Sequence, residues 1–205
     1  MLFQVLDYLS VLVFALTGAL VASRAQLDVV GFAFFAALTG VGGGTLRDVL
    51  LDRNPVFWIA DPWYLAVAAG AAVAVFFFAH RLESRYDALQ WLDAAALAVA
   101  VSAGSGIAAS LGEPWPIVVV MGMVTGCMGG LTRDVVANEV PMVLRQGELY
   151  VTCAFAGSCV TAALDVFPAA LAALACAATV FGLRAGSLAL GWRLPVYKAQ
   201  PKRRE

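Results

Sequence analysis

The chain has 205 residues, 62% of them hydrophobic and 13% charged, with a formal net charge of −1. Soluble domains run at roughly 45–50% apolar and about 25% charged residues, so this is the composition of an all-α polytopic membrane protein. A balance so close to neutral gives no electrostatic ground for nucleic-acid binding.

A spanning helix needs about 20 mostly apolar residues, and seven candidate spans follow one another. The first covers residues 2–22. The start, residues 1–7, lacks the basic region of a cleaved signal, so this span is expected to be retained. The second, residues 29–51, contains Gly42-Gly43-Gly44-Thr45-Leu46-Arg47-Asp48 and ends before Pro55. The third, residues 62–80, opens on Trp63 and Tyr64, which suit an interfacial aromatic belt. Residues 81–90 read as a polar turn. The fourth span covers residues 91–111. The fifth, residues 116–137, repeats the earlier oddity as Gly129-Gly130-Leu131-Thr132-Arg133-Asp134, followed by Pro141. The sixth covers residues 148–164 and the seventh residues 168–190, before a basic tail.

The two glycine/Arg-Asp segments are 86 residues apart. At that one shift, without gaps, Asp7 meets Asp93, Gly18 meets Gly104 and Thr39-Gly40 meets Thr125-Gly126. Gly43-Gly44 meets Gly129-Gly130, Arg47-Asp48-Val49 meets Arg133-Asp134-Val135, Pro55 meets Pro141 and Tyr64 meets Tyr150. The chain therefore reads as two copies of a three-span unit, residues 1–86 and 87–167, then a seventh span (168–190) and a tail (191–205). Three is odd, so the second copy enters from the other side, which makes an inverted 3+3 repeat. Arg53 alone lies in the loops of one side, against nine Lys and Arg on the other (Arg24, Arg81, Arg85, Arg145, Arg193, Lys198, Lys202, Arg203 and Arg204). By the positive-inside rule the N-terminus is external and the C-terminus cytoplasmic. The tail reads as a topogenic signal, with weak attraction to anionic lipid as a second reading.

Consecutive glycines in hydrocarbon are expected to bend or unwind the second and fifth spans near mid-membrane. Unpaired backbone there is tolerated against protein or a water-filled path, and freed carbonyls can coordinate a cation. Thr39, Thr45, Thr125 and Thr132 add hydroxyls at the same depth, and Thr39 and Thr125 are candidate cation contacts. Close helix packing through small residues is the plainer use of such glycines. Neighbouring Arg and Asp do not face each other on a helix, so Arg47, Asp48, Arg133 and Asp134 are expected to pair with other helices. They serve either as an aqueous cation path or as latches and gate elements. Asp7 and Asp93 read as helix-dipole partners or a mouth for cations. The Ala-rich faces of the first and fourth spans suit an oligomer contact.

Cys127, Cys153, Cys159 and Cys176 form no Cys-x-x-Cys pair, and the lone His80 cannot complete a zinc site with them. No nucleophile set, His-Glu-x-x-His or P-loop lysine is present, so an enzyme is not expected, nor a cofactor.

With the doubled signature inside three plus three plus one spans, residues 1–190 resemble the prokaryotic trimeric intracellular cation (TRIC) channels. That resemblance implies a homotrimer embedded in membrane lipid, with a pore in each protomer, lined by the second and fifth spans and conducting monovalent cations, potassium above all. It makes Gly42, Gly43, Gly44, Gly129 and Gly130, with Thr45 and Thr132, the hinge and lining. It makes Arg47, Asp48, Arg133 and Asp134 the gate or ion-pair residues. Animal members carry a lysine-containing, phosphoinositide-contacting segment after the fifth span, whereas residues 138–145 here hold no lysine. Bacterial relatives have also been labelled glycine-transporter-like, so a secondary carrier for a small amino acid is the alternative, with Arg47 or Arg133 as carboxylate contact. A purely structural role is a third.

Overall fold

The computed structural model describes residues 1–81 and 84–195. Eight α-helices occur among them: α1 (Leu2–Arg24), α2 (Val29–Leu50), α3 (Phe57–Ala60), α4 (Trp63–Phe78), α5 (Arg85–Ser110), α6 (Trp115–Val136), α7 (Tyr150–Ala163) and α8 (Ala169–Leu190). Short 3-10 turns at Ala79–Arg81 and Met142–Leu144 complete the set. Six of these elements are long and apolar enough to cross a membrane, and α7 is a shorter apolar helix. The fold is the all-α inverted 3+3 repeat plus a final helix: α1, α2 and α4, then α5, α6 and α7, then α8. The basic residues Lys198, Lys202, Arg203 and Arg204 lie outside the described residues.

Most ends fall within two residues of the expected spans. The largest departure is the start of α5, six residues ahead of Trp91. Ser84 caps it by accepting the Asp87 backbone N–H at 3.1 Å, so a stretch read as a polar turn is helix. Asp28 caps α2 in the same way, accepting from Gly31 at 2.8 Å. Gly191, in the left-handed conformation with φ of 69°, terminates α8 as only glycine does at no steric cost. At 14 residues α7 is about 21 Å long, short of a full hydrocarbon crossing.

The centre is formed by α1 and α5. In their apolar windows 61% and 78% of residues are buried, against 33% in α4 and α8. The faces expected to be free for an oligomer contact are thus spent inside the protomer, where alanine and glycine let neighbouring helices approach. Phe34, Phe77, Phe155, Leu174 and Phe181 point outward instead, as a lipid-facing surface requires. Trp63 is exposed at the start of α4, but Tyr64 is buried and stacked on Tyr8 at 3.9 Å between ring centroids. Tyr64 is a core residue, not part of a belt. Cys127, Cys153 and Cys176 are buried, free thiols.

Candidate functional site

Regular helix runs unbroken through both glycine segments. The expected unwinding is not there, because neighbouring backbone takes the space the glycines leave. A Cβ on Gly129 would fall 2.6 Å from the Thr39 carbonyl oxygen, and one on Gly43 closer still to the Thr125 carbonyl. Two symmetry-related glycines thus let α2 and α6 cross with each backbone in contact with the other. Thr39 and Thr125 sit in this crossing, and their hydroxyls donate back to Phe35 and Met121 carbonyls at 2.6 and 2.7 Å. Gly18 and Gly104 admit the same two threonines from α1 and α5. Gly42 lies beside Thr132, and Gly44 makes room for the Phe57 ring. Thr45 donates to the Val41 carbonyl and accepts from Trp58 Nε1 at 2.9 Å; Thr132 turns back to Met128 and Gly129.

In the last turn of α2, Arg47 is fully buried and builds the first of two charged clusters. Its Nη1 and Nη2 donate to the two carboxylate oxygens of Asp7 on α1, at 2.7 and 3.2 Å, and its Nε donates to Asp48 Oδ1 at 2.8 Å. Asp48 also accepts from Arg53 at 2.7 Å and from the Phe57 backbone N–H at 2.9 Å. The Phe57 ring covers the guanidinium, its centroid 5.5 Å from Cζ. Beside this cluster opens a cavity of about 330 Å³ lined by Gln4, Asp7, Arg53, Phe57, Asp61 and Tyr64 among others.

The second cluster repeats the plan at the end of α6. Arg133 donates to Asp93 at 2.8 Å, to Thr17 at 2.9 Å and to Asp134 at 2.7 Å. Asp134 accepts the Met142 backbone N–H at 2.9 Å, and Arg133 Nη2 reaches the Met142 sulfur at 3.8 Å. Asp7 and Thr17 lie ten residues apart on α1, about 15 Å along its axis, so the clusters occupy different depths. Charge-assisted bonding of this kind, bidentate between Arg47 and Asp7 and single between Arg133 and Asp93, is what lets arginine persist away from water.

Two expectations are corrected by this geometry. Adjacent Arg and Asp do meet, because the long arginine stem curls sideways until Nε reaches the next carboxylate. The partners on other helices, Asp7 and Asp93, come from the same repeat, and only Thr17 reaches Arg133 from the other repeat. Asp93 is far from a helix N-terminus, because α5 begins at Arg85. Both are arginine partners; Asp93 is neither a dipole partner nor a mouth, while Asp7 also lines the cavity.

A sequence profile described as "Glycine transporter" matches this chain twice, over residues 4–80 and 90–166. A membrane protein of Vibrio cholerae is 35% identical over 199 residues, 96% of this chain and 83% of the other. The inner membrane protein YadS of Escherichia coli is 41% identical over 165 residues, 79% and 78% of the two chains. Among solved structures, the TRIC trimeric intracellular cation channel orthologue from Rhodobacter sphaeroides superposes with a TM-score of 0.89 at 43% identity, covering 93% of this chain and 98% of that one. The chain belongs to the TRIC channel family. A prokaryotic TRIC channel solved in 0.5 M KCl gives a TM-score of 0.88 at 26% identity, again over 93% and 98%.

Within this TRIC fold several residues of the clusters had no assigned role in the sequence. Arg53 and the Phe57 and Met142 amides complete the two Asp sites. Arg184 on α8 is fully buried, donates to Glu148 at 2.8 Å and lies 5.0 Å from the Tyr150 ring centroid. A lone arginine inside a 22-residue apolar span was the available signal.

Proposed function

We propose that this protein is a potassium-permeable monovalent cation channel. It works as a homotrimer in the cell inner membrane, N-terminus external and C-terminus cytoplasmic, with a pathway in each protomer between α2 and α6. The observation that carries the reading is the pair of buried Arg/Asp clusters flanking the glycine crossing of α2 and α6, in a chain 43% identical to a TRIC cation channel orthologue. The cavity beside Arg47 serves as the external vestibule. Gly42, Gly43, Gly44, Thr45, Gly129, Gly130 and Thr132 line the path, and the crossing at Gly43 and Gly129 closes it. Asp48 and Asp134, held by arginine and by the amides of the following segments, act as latches on the ends of the two pore helices. Opening slides α2 against α6 and presents Thr39 and Thr125 to permeant potassium.

The test is potassium flux from loaded proteoliposomes down an imposed gradient, with planar-bilayer recording beside it. Discrete current steps reversing near the potassium potential are the expected result. Saturable glycine uptake without steps would instead favour the carrier reading that the profile's description suggests, with Arg47 and Arg133 as carboxylate contacts.

A further inference from the structure

The two clusters are built on the same backbone but do not hold the same charges. In the first, Asp7 and Asp48 face Arg47 and Arg53, two negative against two positive. In the second, Asp93 and Asp134 face Arg133 alone. The position matching Arg53 is Glu139. Its backbone is placed alike, since the Arg53 N–H donates to the Asp48 carbonyl at 2.8 Å and the Glu139 N–H to the Asp134 carbonyl at 2.9 Å. Its side chain turns away to Arg24 at 3.1 Å. The second cluster is therefore one positive charge short, in a setting where charge is weakly screened.

Arg184 lies behind it. Its guanidinium packs on one side of the buried Tyr150 ring, and the Tyr150 hydroxyl lies near the cluster. The point where Gly130 would carry a Cβ is 3.2 Å from that hydroxyl, 3.4 Å from Asp93 Oδ1 and 3.6 Å from Arg133 Nη2. Asp93 Oδ2, the Tyr150 hydroxyl and Arg184 Nε and Nη1 are all buried without a hydrogen-bond partner among the described residues. Arg184 is paired in charge with the partly exposed Glu148, yet two of its donors stay unmade in a fully buried site, which is costly. The excess of negative charge one aromatic ring away offsets that cost.

We infer that Arg184 is the fourth charge of the second cluster, so that α8, which lies outside the duplication, supplies the positive charge that Arg53 gives the first copy and Glu139 does not give the second. Arg184 is a positioning residue: it ties α8 to the end of α6 through Tyr150 and Asp93. The melting tests of this assignment are independent of the channel reading; only its consequence for current rests on it.

The test is thermal melting of the purified full chain in detergent. Arg184→Met keeps most of the volume and removes the charge, and is expected to lower the midpoint by roughly 5–10 °C. Adding Glu139→Arg, which places arginine where the first copy has Arg53, is expected to recover at least half of that loss, while Glu148→Gln alone changes little. If Glu139→Arg does not fold by itself, Asp134→Asn in the Arg184→Met background relieves the same imbalance and is expected to recover stability. Wild-type melting of Arg184→Met would overturn the inference and leave Arg184 as packing. So would a loss that neither second change repairs, or one that Glu148→Gln reproduces in full. In the flux assay Arg184→Met is expected to change the current at least twofold, with Glu139→Arg returning it toward wild type. Absence of current in every variant, with the melting pattern intact, would overturn the channel reading and leave this one standing.

Discussion

The two charged clusters are copies of one design, yet one opens onto a cavity and the other is sealed. Beside the Arg47 cluster lies about 330 Å³ of space lined by Asp7, Phe57, Tyr64 and the partly exposed Arg53 among others. Around Arg133 the neighbours are Thr17, Met142, Tyr150 and, behind it, α8. What stayed constant is the backbone device: an Arg donating to its neighbouring Asp and to an Asp on the first helix of its unit, and that neighbouring Asp accepting the amide of the next segment. What diverged is the surrounding charge and cover. The hydrogen-bond frame is common to both copies, and the electrostatics around it differ.

The largest expected effect comes from removing either arginine. Arg47→Leu strands the buried Asp7, and Arg133→Leu strands both Asp93 and Asp134, a loss of about 3–5 kcal/mol. Arg133→Leu is the worse, because Arg53 still bonds Asp48 directly when Arg47 is gone, whereas Arg184 bonds Glu148 and neither Asp93 nor Asp134. Melting the two variants side by side checks the order, and equal losses would erase the distinction between the clusters.

Next in size are the crossing glycines. Gly43→Ala and Gly129→Ala each insert a methyl group into the facing carbonyl and are expected to cost about 1–3 kcal/mol, with reduced potassium flux. Leucine at both positions should abolish flux. Normal flux from a normally melting double variant would move the constriction away from the crossing.

Asp48→Asn and Asp134→Asn keep an acceptor for the Phe57 and Met142 amides but lose the charge held by arginine. About 1–3 kcal/mol is expected, less than for alanine at the same sites, and a thermal-shift comparison of Asn with Ala separates capping from charge. The smallest effect belongs to Arg53→Ala, whose side chain is 36% exposed. Its stability change is expected below about 1 kcal/mol, while cation current at low salt rises as the vestibule loses a positive charge. Unchanged current across ionic strengths would remove Arg53 from the path.

Much of this was legible before any coordinates. The apolar runs mark the spans to within a few residues, and the 86-residue shift pairs Asp7 with Asp93 and Tyr64 with Tyr150, which are the residues around which the clusters close. What was not legible depended on partners far along the chain. Whether Gly42-Gly43-Gly44 unwinds or packs is decided by the Thr125 carbonyl, which a local reading of glycine cannot see. Tyr64 looked interfacial because it follows Trp63 at a helix start, and only the position of Tyr8 shows it turned inward. The start of α5 was hidden because a Ser84 cap inside a charged stretch looks like a loop. Arg184 escaped because α8 has no copy to compare it with.

The glycine crossing is a reciprocal joint. Gly43 meets the Thr125 carbonyl as Gly129 meets that of Thr39, so residue i touches j′ and j touches i′. That is the rule of an isologous interface, the contact two identical subunits make about a twofold axis. A single three-helix unit bearing one Thr39-like carbonyl and one Gly43-like gap carries both halves of this joint. Two such units inserted in opposite orientations would each offer the other both contacts, so the joint does not require the two copies to lie on one chain. Expressing residues 1–86 alone, free to insert either way, tests whether it forms between separate copies.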